Sequence, residues 1–222
     1  MIPKFDLPDS KNALAFEIVK KAVEKYKTNK PFIIGITGAG GAGKTTFGNN
    51  IMTYYGHKNC ISIDLDDYLL SRYERGKLGI TGYDPKANKL NQARENIIDL
   101  LNYKEISKPR YNHSNGNILE NEIIEPKEII VIEGVTTLYP QLVDLNNISF
   151  FLDALEETQI KSRIERDVNK RGYTQEEALI LFNSVKPDYL KYIEPTKKFA
   201  SIIFEVGTDY IMYPKHINPK FT

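Results

Sequence analysis

Residues 32–47 read FIIGITGAGGAGKTTF. Phe32–Thr37 predicts a strand, and a glycine-rich turn and the start of a helix follow it. Gly38-Ala39-Gly40-Gly41-Ala42-Gly43-Lys44-Thr45 fits GxxxxGK[ST], and the apolar run before it and amphipathic segment after it are the context of a P-loop. Glycines at 38, 40, 41 and 43 let the backbone take positive φ and approach a polyphosphate, so that the N–H groups of the 38–46 segment, including those of Ala39, Ala42 and Thr46, face its oxygens. The helix beginning near Lys44 adds the positive end of its dipole, and the Lys44 ammonium suits the β and γ phosphates. Thr45 offers a hydroxyl to Mg²⁺, an ion that otherwise keeps water and phosphate oxygens around it. The stretch predicts a site for ATP and Mg²⁺.

The 222 residues, 41% hydrophobic, suit one substantial domain with small insertions. Lys and Arg number 30 against 29 Asp and Glu, so no overall basic field points to nucleic acid or a membrane surface. The single cysteine, Cys60, excludes an internal disulfide and a multi-cysteine metal site, which suits a reducing cytoplasm. No apolar stretch has the length of a membrane span and MIPKFDLPDSK lacks the pattern of a signal peptide, so a cytoplasmic protein is expected.

Three segments are expected: an N-terminal helix within 1–30, a kinase-like domain over 31–206, and a tail over 207–222 with two prolines and no clear period. Ser10 is the expected cap of the first helix, whose Ala15, Ile18, Val19, Ala22, Val23 and Tyr26 share a face. A strand at Ile61–Ile63 ends in Asp64-Leu65-Asp66-Asp67, and carboxylates at a strand's C-terminal end sit where open α/β sheets bind ligands. Residues 71–88 read as a loop or flap, and Asn88 as the cap of a helix carrying Leu90, Ala93, Ile97, Ile98 and Leu101. Residues 106–126 alternate around Asn115-Gly116-Asn117, predicting a small hairpin outside the main sheet and the chain's one antiparallel excursion.

Glu128–Glu133 is the pattern of a strand buried on both faces, with Glu133 the anomaly at its end. Ile148–Asp153 predicts another strand, followed by a helix over about 156–171 with an apolar stripe at Ile160, Ile164 and Val168. Arg163, Arg166 and Lys170 share a different face, and Arg171 precedes Gly172. A lid is expected over 160–173. Thr174-x-x-Glu177 is a capping box opening a helix that Pro187 limits, and Ala200–Glu205 reads as the last strand. Strands alternating with helices around a P-loop predict an α/β fold of the P-loop NTPase type, a parallel sheet with helices on both faces.

Among P-loop proteins, a guanine-reading NKxD has no match, since Asn88-Lys89-Leu90-Asn91 lacks the aspartate, and no LSGGQ-like signature is present. A small-molecule kinase needs a carboxylate to take the acceptor's hydroxyl proton, a Mg²⁺ site and mobile cations over the phosphates. Asp66 is the candidate base, Glu133 the candidate for Mg²⁺ or its water shell, and Arg163, Arg166 and Arg171 the candidates to close over the phosphates. Asp64 and Asp67 are read as structural.

These residues resemble the uridine kinase and phosphoribulokinase family from about Ile33 to Glu205. The likeness rests on GITGAGGAGKTT, Gly82-Tyr83-Asp84-Pro85, KPRYNH (Lys108–His113), VIEG (Val131–Gly134), RIERDVNKRG (Arg163–Gly172) and YIEPTKKFASIIF (Tyr192–Phe204). It implies that Asp66 is the catalytic base, with Lys44 and Arg166 acting on the transferred group. It also implies that Asp84, Tyr111 and His113 face the acceptor, that Arg163 and Arg171 contact phosphate, and that Glu133 is linked to magnesium. Leu69 stands where uridine kinases carry an aromatic and phosphoribulokinases a histidine. Leu181 replaces a usual glutamine, and the tail lacks an RGG-x-N segment. The expected activity is ATP-dependent phosphoryl transfer to a ribose- or sugar-containing small molecule, with uridine or cytidine first by chain length. A phosphoribulokinase-like sugar-phosphate acceptor is the alternative favoured by the central motifs, and a nucleotide-binding regulator without turnover is the third. Family likeness also implies a homo-oligomer.

Overall fold

Apolar runs without alternation need cover on both sides, and here they become the centre of a sheet. The computed structural model describes residues 12–221. Helix α1 (Ala13–Tyr26) leads into β1 (Phe32–Gly38), the P-loop and α2 (Lys44–Tyr55). Strand β2 (Cys60–Asp64) is followed by a 3₁₀ turn (Leu65–Tyr68), α3 (Arg72–Leu78) and α4 (Leu90–Leu101). Strands β3 (Ile106–Tyr111) and β4 (Ile118–Ile124) form the hairpin, and β5 (Ile129–Glu133) returns to the sheet. Next come β6 (Ile148–Ala154), α5 (Glu156–Arg171), α6 (Gln175–Asp188), β7 (Ile202–Val206) and β8 (Met212–Ile217).

The six-stranded sheet runs β2-β5-β1-β6-β7-β8, with β8 antiparallel to β7 and the other pairs parallel. Alternation along β1 sends Phe32, Ile34 and Ile36 to a core shared with α1 and α2, where Phe16, Phe47, Phe150 and Phe204 pack. Ile33 faces the other core with Ile63, Ile130, Ile132 and Phe151, under α4. Every residue of β1 and of β5 is buried. Since β1 lies between β5 and β6, chain connections diverge to either side of it and leave a crevice at its C-terminal end, beside the P-loop.

Several expectations are corrected. Residues 72–78 are helical, opened by a capping box in which Ser71 accepts from the Glu74 amide and the Glu74 carboxylate returns to the Ser71 amide. This helix buries no residue, so it left no apolar period to read. Asn88 does not cap α4. Lys89 holds that position, and the Asn88 amide instead donates to the carbonyls of Gly82 (3.1 Å) and Asp84 (2.9 Å). The hairpin is not the one antiparallel excursion, because the tail supplies β8, with Pro214 tolerated on an edge strand. Pro187 lies inside α6, whose chain continues as a π turn over Tyr189–Ile193 and a 3₁₀ turn over Glu194–Phe199. The amide that proline lacks breaks the i→i−4 ladder, and the wider turn follows directly. The Ile160, Ile164 and Val168 stripe is only half-buried, and the buried residues of α5 are Thr158 and Asp167. The Ser10 cap lies outside the described residues.

Gly35 shows how closely β1 is packed. A Cβ there would stand 2.1 Å from Asn146 Oδ1 and 2.9 Å from Thr137 Cγ2. The Asn146 amide meanwhile donates to three carbonyls, those of Thr137, Leu142 and Val143. Gly35→Ala is expected to destabilise the protein by about 2 kcal/mol through overpacking, read from the midpoint of urea unfolding; an unchanged midpoint would mean that Asn146 moves aside freely.

Candidate active site

Three parallel strands end together. Register pairs Ile36 of β1 and Asp64 of β2 with Glu133 of β5, so Asp64 and Glu133 occupy one level with Ile36, two residues before the first P-loop glycine, Gly38. Gly38, Gly41 and Gly43 have φ of 139°, 85° and 90°. An added Cβ at Gly38 would meet the Leu152 carbonyl at 2.4 Å, so that position is closed to side chains by space as well as by φ. Gly43 precedes α2 in the left-handed region and turns the helix N-terminus toward the loop. The Lys44 ammonium, folded under the loop, donates to the carbonyls of Gly38 (3.1 Å) and Ala39 (3.0 Å). Burial pulls its pKa below the ordinary lysine value, opposed by the negative charges of Asp66, Glu133 and Asp64.

Glu133 is buried, and burial raises its pKa against a hydrogen bond from the Thr45 hydroxyl and the charge of Lys44. Asp64 is raised by burial and by the charges of Asp66 and Glu133. Its carboxylate accepts the Asp66 amide at 2.9 Å and so starts the 3₁₀ turn that carries Asp66. Asp64 is thus structural and also part of the electrostatic field. Hard oxygen donors concentrated beside Thr45 suit Mg²⁺. Among the described residues no three carboxylate, histidine or cysteine side chains form a complete metal cage. A P-loop magnesium ion needs none, since phosphate and water fill its remaining positions.

A cleft of about 230 Å³ opens above this floor. Gly40, Lys44 and Asp66 line its base, α3 contributes Arg72 and Arg75, and the hairpin contributes Tyr111 and His113. Across from them stand Arg163, Arg166, Asp167 and Arg171 of α5, followed by Tyr173, Leu181 and Val185. Asp66, Lys44, Arg163, Arg166, Arg171, Tyr111 and His113 therefore share one cavity. Asp84 does not line it. One Asp84 oxygen caps the 3₁₀ turn Pro85–Ala87 through the Lys86 amide (2.8 Å), and the other accepts the Tyr192 hydroxyl (2.9 Å). Thr45, Thr46 and Glu133 are not among the lining residues: the two threonines are exposed in the first turn of α2, and Glu133 is buried at the end of β5.

Several residues of the site escaped the sequence reading. Asp167, 1% exposed, gathers three guanidinium groups: Arg166 at 2.9 Å, Arg171 at 3.1 Å and Arg163 at 3.8 Å. Spacing of four puts 163, 167 and 171 on one helical face, and an acid centred in R-x-x-R-D-x-x-x-R was a readable signal. Lys170, grouped earlier with Arg163 and Arg166, is exposed and outside the cleft. Arg163 also lies over the ring of Phe182 on α6, at 5.7 Å. Arg171 donates to His113 Nδ1 at 3.1 Å and joins α5 to the hairpin. A guanidinium only donates, so that ring nitrogen is unprotonated and any ring proton of the neutral form sits on Nε2.

Arg72 and Arg75 of α3 were missed too, and Tyr83 is another omission. Its hydroxyl accepts the Gly40 amide at 3.1 Å, and its carbonyl accepts the Tyr139 hydroxyl. The segment that bears it is further tied by Thr81, whose hydroxyl donates to Asp188 at 2.7 Å. No local pattern relates residue 83 to residue 40.

The sequence profile of the phosphoribulokinase / uridine kinase family matches residues 33–212. A phosphoribulokinase of Synechocystis sp. is 39% identical over 176 residues, which make up 78% of this chain and 53% of that protein. The chain thus spans about half the length of that relative. A uridine kinase of Ligilactobacillus salivarius is 37% identical over 190 residues, covering 82% of this chain and 88% of the relative. The phosphoribulokinase structure from Rhodobacter spheroides superposes with a TM-score of 0.62 at 18% identity, over 81% of this chain and 71% of that one, a likeness of fold.

Two outcomes follow from the geometry. Tyr83→Phe removes an acceptor that competes with phosphate for the Gly40 amide, so nucleotide triphosphate should bind up to about fivefold tighter by calorimetry, the worth of one ordinary hydrogen bond. Weaker binding would make the hydroxyl part of the phosphate cradle. Burial, together with Arg171 and Arg166 and against Asp66 and Asp67, holds His113 below the usual histidine value of 6.5. Stability from its neutral ring is therefore present above about pH 6.5 and lost as pH falls through the lower folded value. His113→Gln should flatten the decline of unfolding free energy between about pH 7 and 5.

Proposed function

The chain belongs to the phosphoribulokinase / uridine kinase family, and from that membership we propose that it transfers the γ-phosphoryl group of ATP to a hydroxyl of a small sugar- or ribose-containing acceptor. The observation that carries this reading is the single cavity joining the P-loop lysine, Asp66 and three lid arginines. Kinase chemistry needs those groups around one reacting centre.

Each residue then has a role its position supports. P-loop amides and Lys44 hold the triphosphate, with Thr45 and Glu133 toward Mg²⁺. Asp66 faces the cleft from the turn after β2 and takes the proton of the attacking hydroxyl. Arg163, Arg166 and Arg171 balance charge on the phosphates as it moves toward the leaving group, and Asp167 keeps their guanidinium groups in register. Arg166 is near enough to Lys44 to contribute to lowering its pKa, so the lid helix acts on the phosphate end of the site. Thr45, Lys44 and the arginines exclude bulk water from the transferred group once both substrates are seated.

The acceptor wall favours an anionic sugar. Arg75 donates to the Tyr111 hydroxyl and lies over the Tyr111 ring at 5.6 Å. Arg72 reaches the His113 carbonyl at 3.1 Å, and Leu69, packed with Ala87 and Tyr111, gives an aliphatic surface in place of a stacking ring. Two cations in the cleft that Asp66 also lines suit a phosphorylated pentose of the ribulose 5-phosphate kind. A nucleoside acceptor is the second reading, supported by the edge-to-face Tyr111–His113 pair and by the fuller coverage of the uridine kinase relative.

Release of ADP from Mg-ATP is the test, measured with uridine, cytidine, ribulose 5-phosphate and unphosphorylated pentoses. Asp66→Asn should keep Mg-ATP affinity while transfer falls by at least about 10²-fold, the usual worth of a general base. With a sugar phosphate, Arg75→Met should raise KM by about 10- to 100-fold, the value of a charged hydrogen bond. Stimulation by nucleosides alone, indifferent to Arg75, would replace the first acceptor with the second; transfer unaffected by Asp66→Asn would remove Asp66 as the base.

A further inference from the structure

Lys108 is a lysine 2% exposed, on a hairpin outside the main core. Its ammonium contacts Asp67 and lies 2.5 Å from Glu122 and 3.4 Å from the Pro109 carbonyl. A buried ammonium is tolerated only where carboxylates replace its water, and a single change leaves the partner charge stranded. Asp67 does more than neutralise it: the other Asp67 oxygen accepts the Tyr111 amide at 2.8 Å. One carboxylate therefore spans β3 from residue 108 to residue 111, across the register shift between Lys108 and Arg110. Such a shift re-aims side chains. Pro109 offers no amide there, and the clamp turns Tyr111 into the cleft.

The consequence reaches Asp66. Asp66 and Asp67 are consecutive on the 3₁₀ turn, Asp66 facing the cleft and Asp67 the hairpin. The turn is held at both ends, by the Asp66 amide on Asp64 and by the Leu69 amide on the Asp66 carbonyl at 3.1 Å. With Asp67 clamped as well, the turn that carries Asp66 is tied to the strand that carries Tyr111.

We propose that Lys108 and Asp67 are positioning residues, a buried bridge that sets the separation between Asp66 and the hairpin wall of the cleft and so aligns the acceptor hydroxyl with the base. This rests on the kinase reading above. Because Lys108→Met alone strands Asp67 and threatens folding, the decisive protein is the Lys108→Met/Asp67→Asn double variant, which removes both charges of the bridge. Its folding is verified by circular dichroism.

In the folded double variant, kcat for acceptor-dependent transfer should fall at least tenfold while the Kd for Mg-ATP changes less than twofold, and hydrogen exchange at the Tyr111 amide should accelerate. A merely structural bridge predicts the opposite, with wild-type kcat restored once no charge is stranded, and that result overturns the proposal. Wild-type protein that transfers to no acceptor would overturn the kinase reading instead. The bridge would then be judged by exchange alone, with unchanged Tyr111 protection counting against it.

Discussion

The parallel register of β2, β5 and β1 is the constraint on which the rest depends. It brings Asp64 and Glu133 level with Ile36, where β1 runs into the P-loop, and Asp66 follows two residues after Asp64. Buried like charges at that spacing are costly unless a cation meets them, and Lys44 meets them from the loop. The same lysine is bonded to the loop's own carbonyls, so the loop, the lysine and the carboxylates hold one another in place.

Around that floor the site is assembled by ion pairing more than by apolar packing. Helix α5 has a weak apolar stripe, and Asp167 gathers the guanidinium groups of Arg163, Arg166 and Arg171 from that same helix on the side that lines the cleft. The hairpin is joined to the turn through Lys108 and Asp67, and to α5 through His113 and Arg171. Positioning by buried charge is directional in a way that apolar contact is not, and a phosphoryl-transfer site needs direction. Arg72 and Arg75 of α3 add two more cations to the lining of the same cleft.

Legibility of the chain followed interaction range. The P-loop, the bounds of α5 and the Thr174 capping box were readable because each depends on residues within a few positions. The hairpin was readable from Asn115-Gly116-Asn117, and Gly116 has φ of 79° with its amide on the Asn112 carbonyl. By contrast α3 was missed because it packs no apolar face, and β8 because an edge strand with a proline carries little pattern. The hydroxyl of Tyr83 on the Gly40 amide joins residues 43 apart, and Asp67 with Lys108 joins residues 41 apart. For Asp84 a motif match suggested a place toward the acceptor, and the structure adds what the motif could not show, that its two oxygens accept from the Tyr192 hydroxyl and the Lys86 amide.

The sequence by itself determined the class of fold and the chemistry at its centre, because glycine spacing, a lysine, a hydroxyl and a strand-terminal glutamate admit few other uses. It also made Asp66 and the arginines of 163–171 candidates for base and lid. Tertiary structure alone decided which of them share a cavity, which carboxylate faces the cleft and which anchors a hairpin, and that Arg72 and Arg75 line the same cleft. Those outcomes depend on where separate elements meet. Meeting points are set by the burial and pairing of charges distant in the chain, for which a linear pattern has no period.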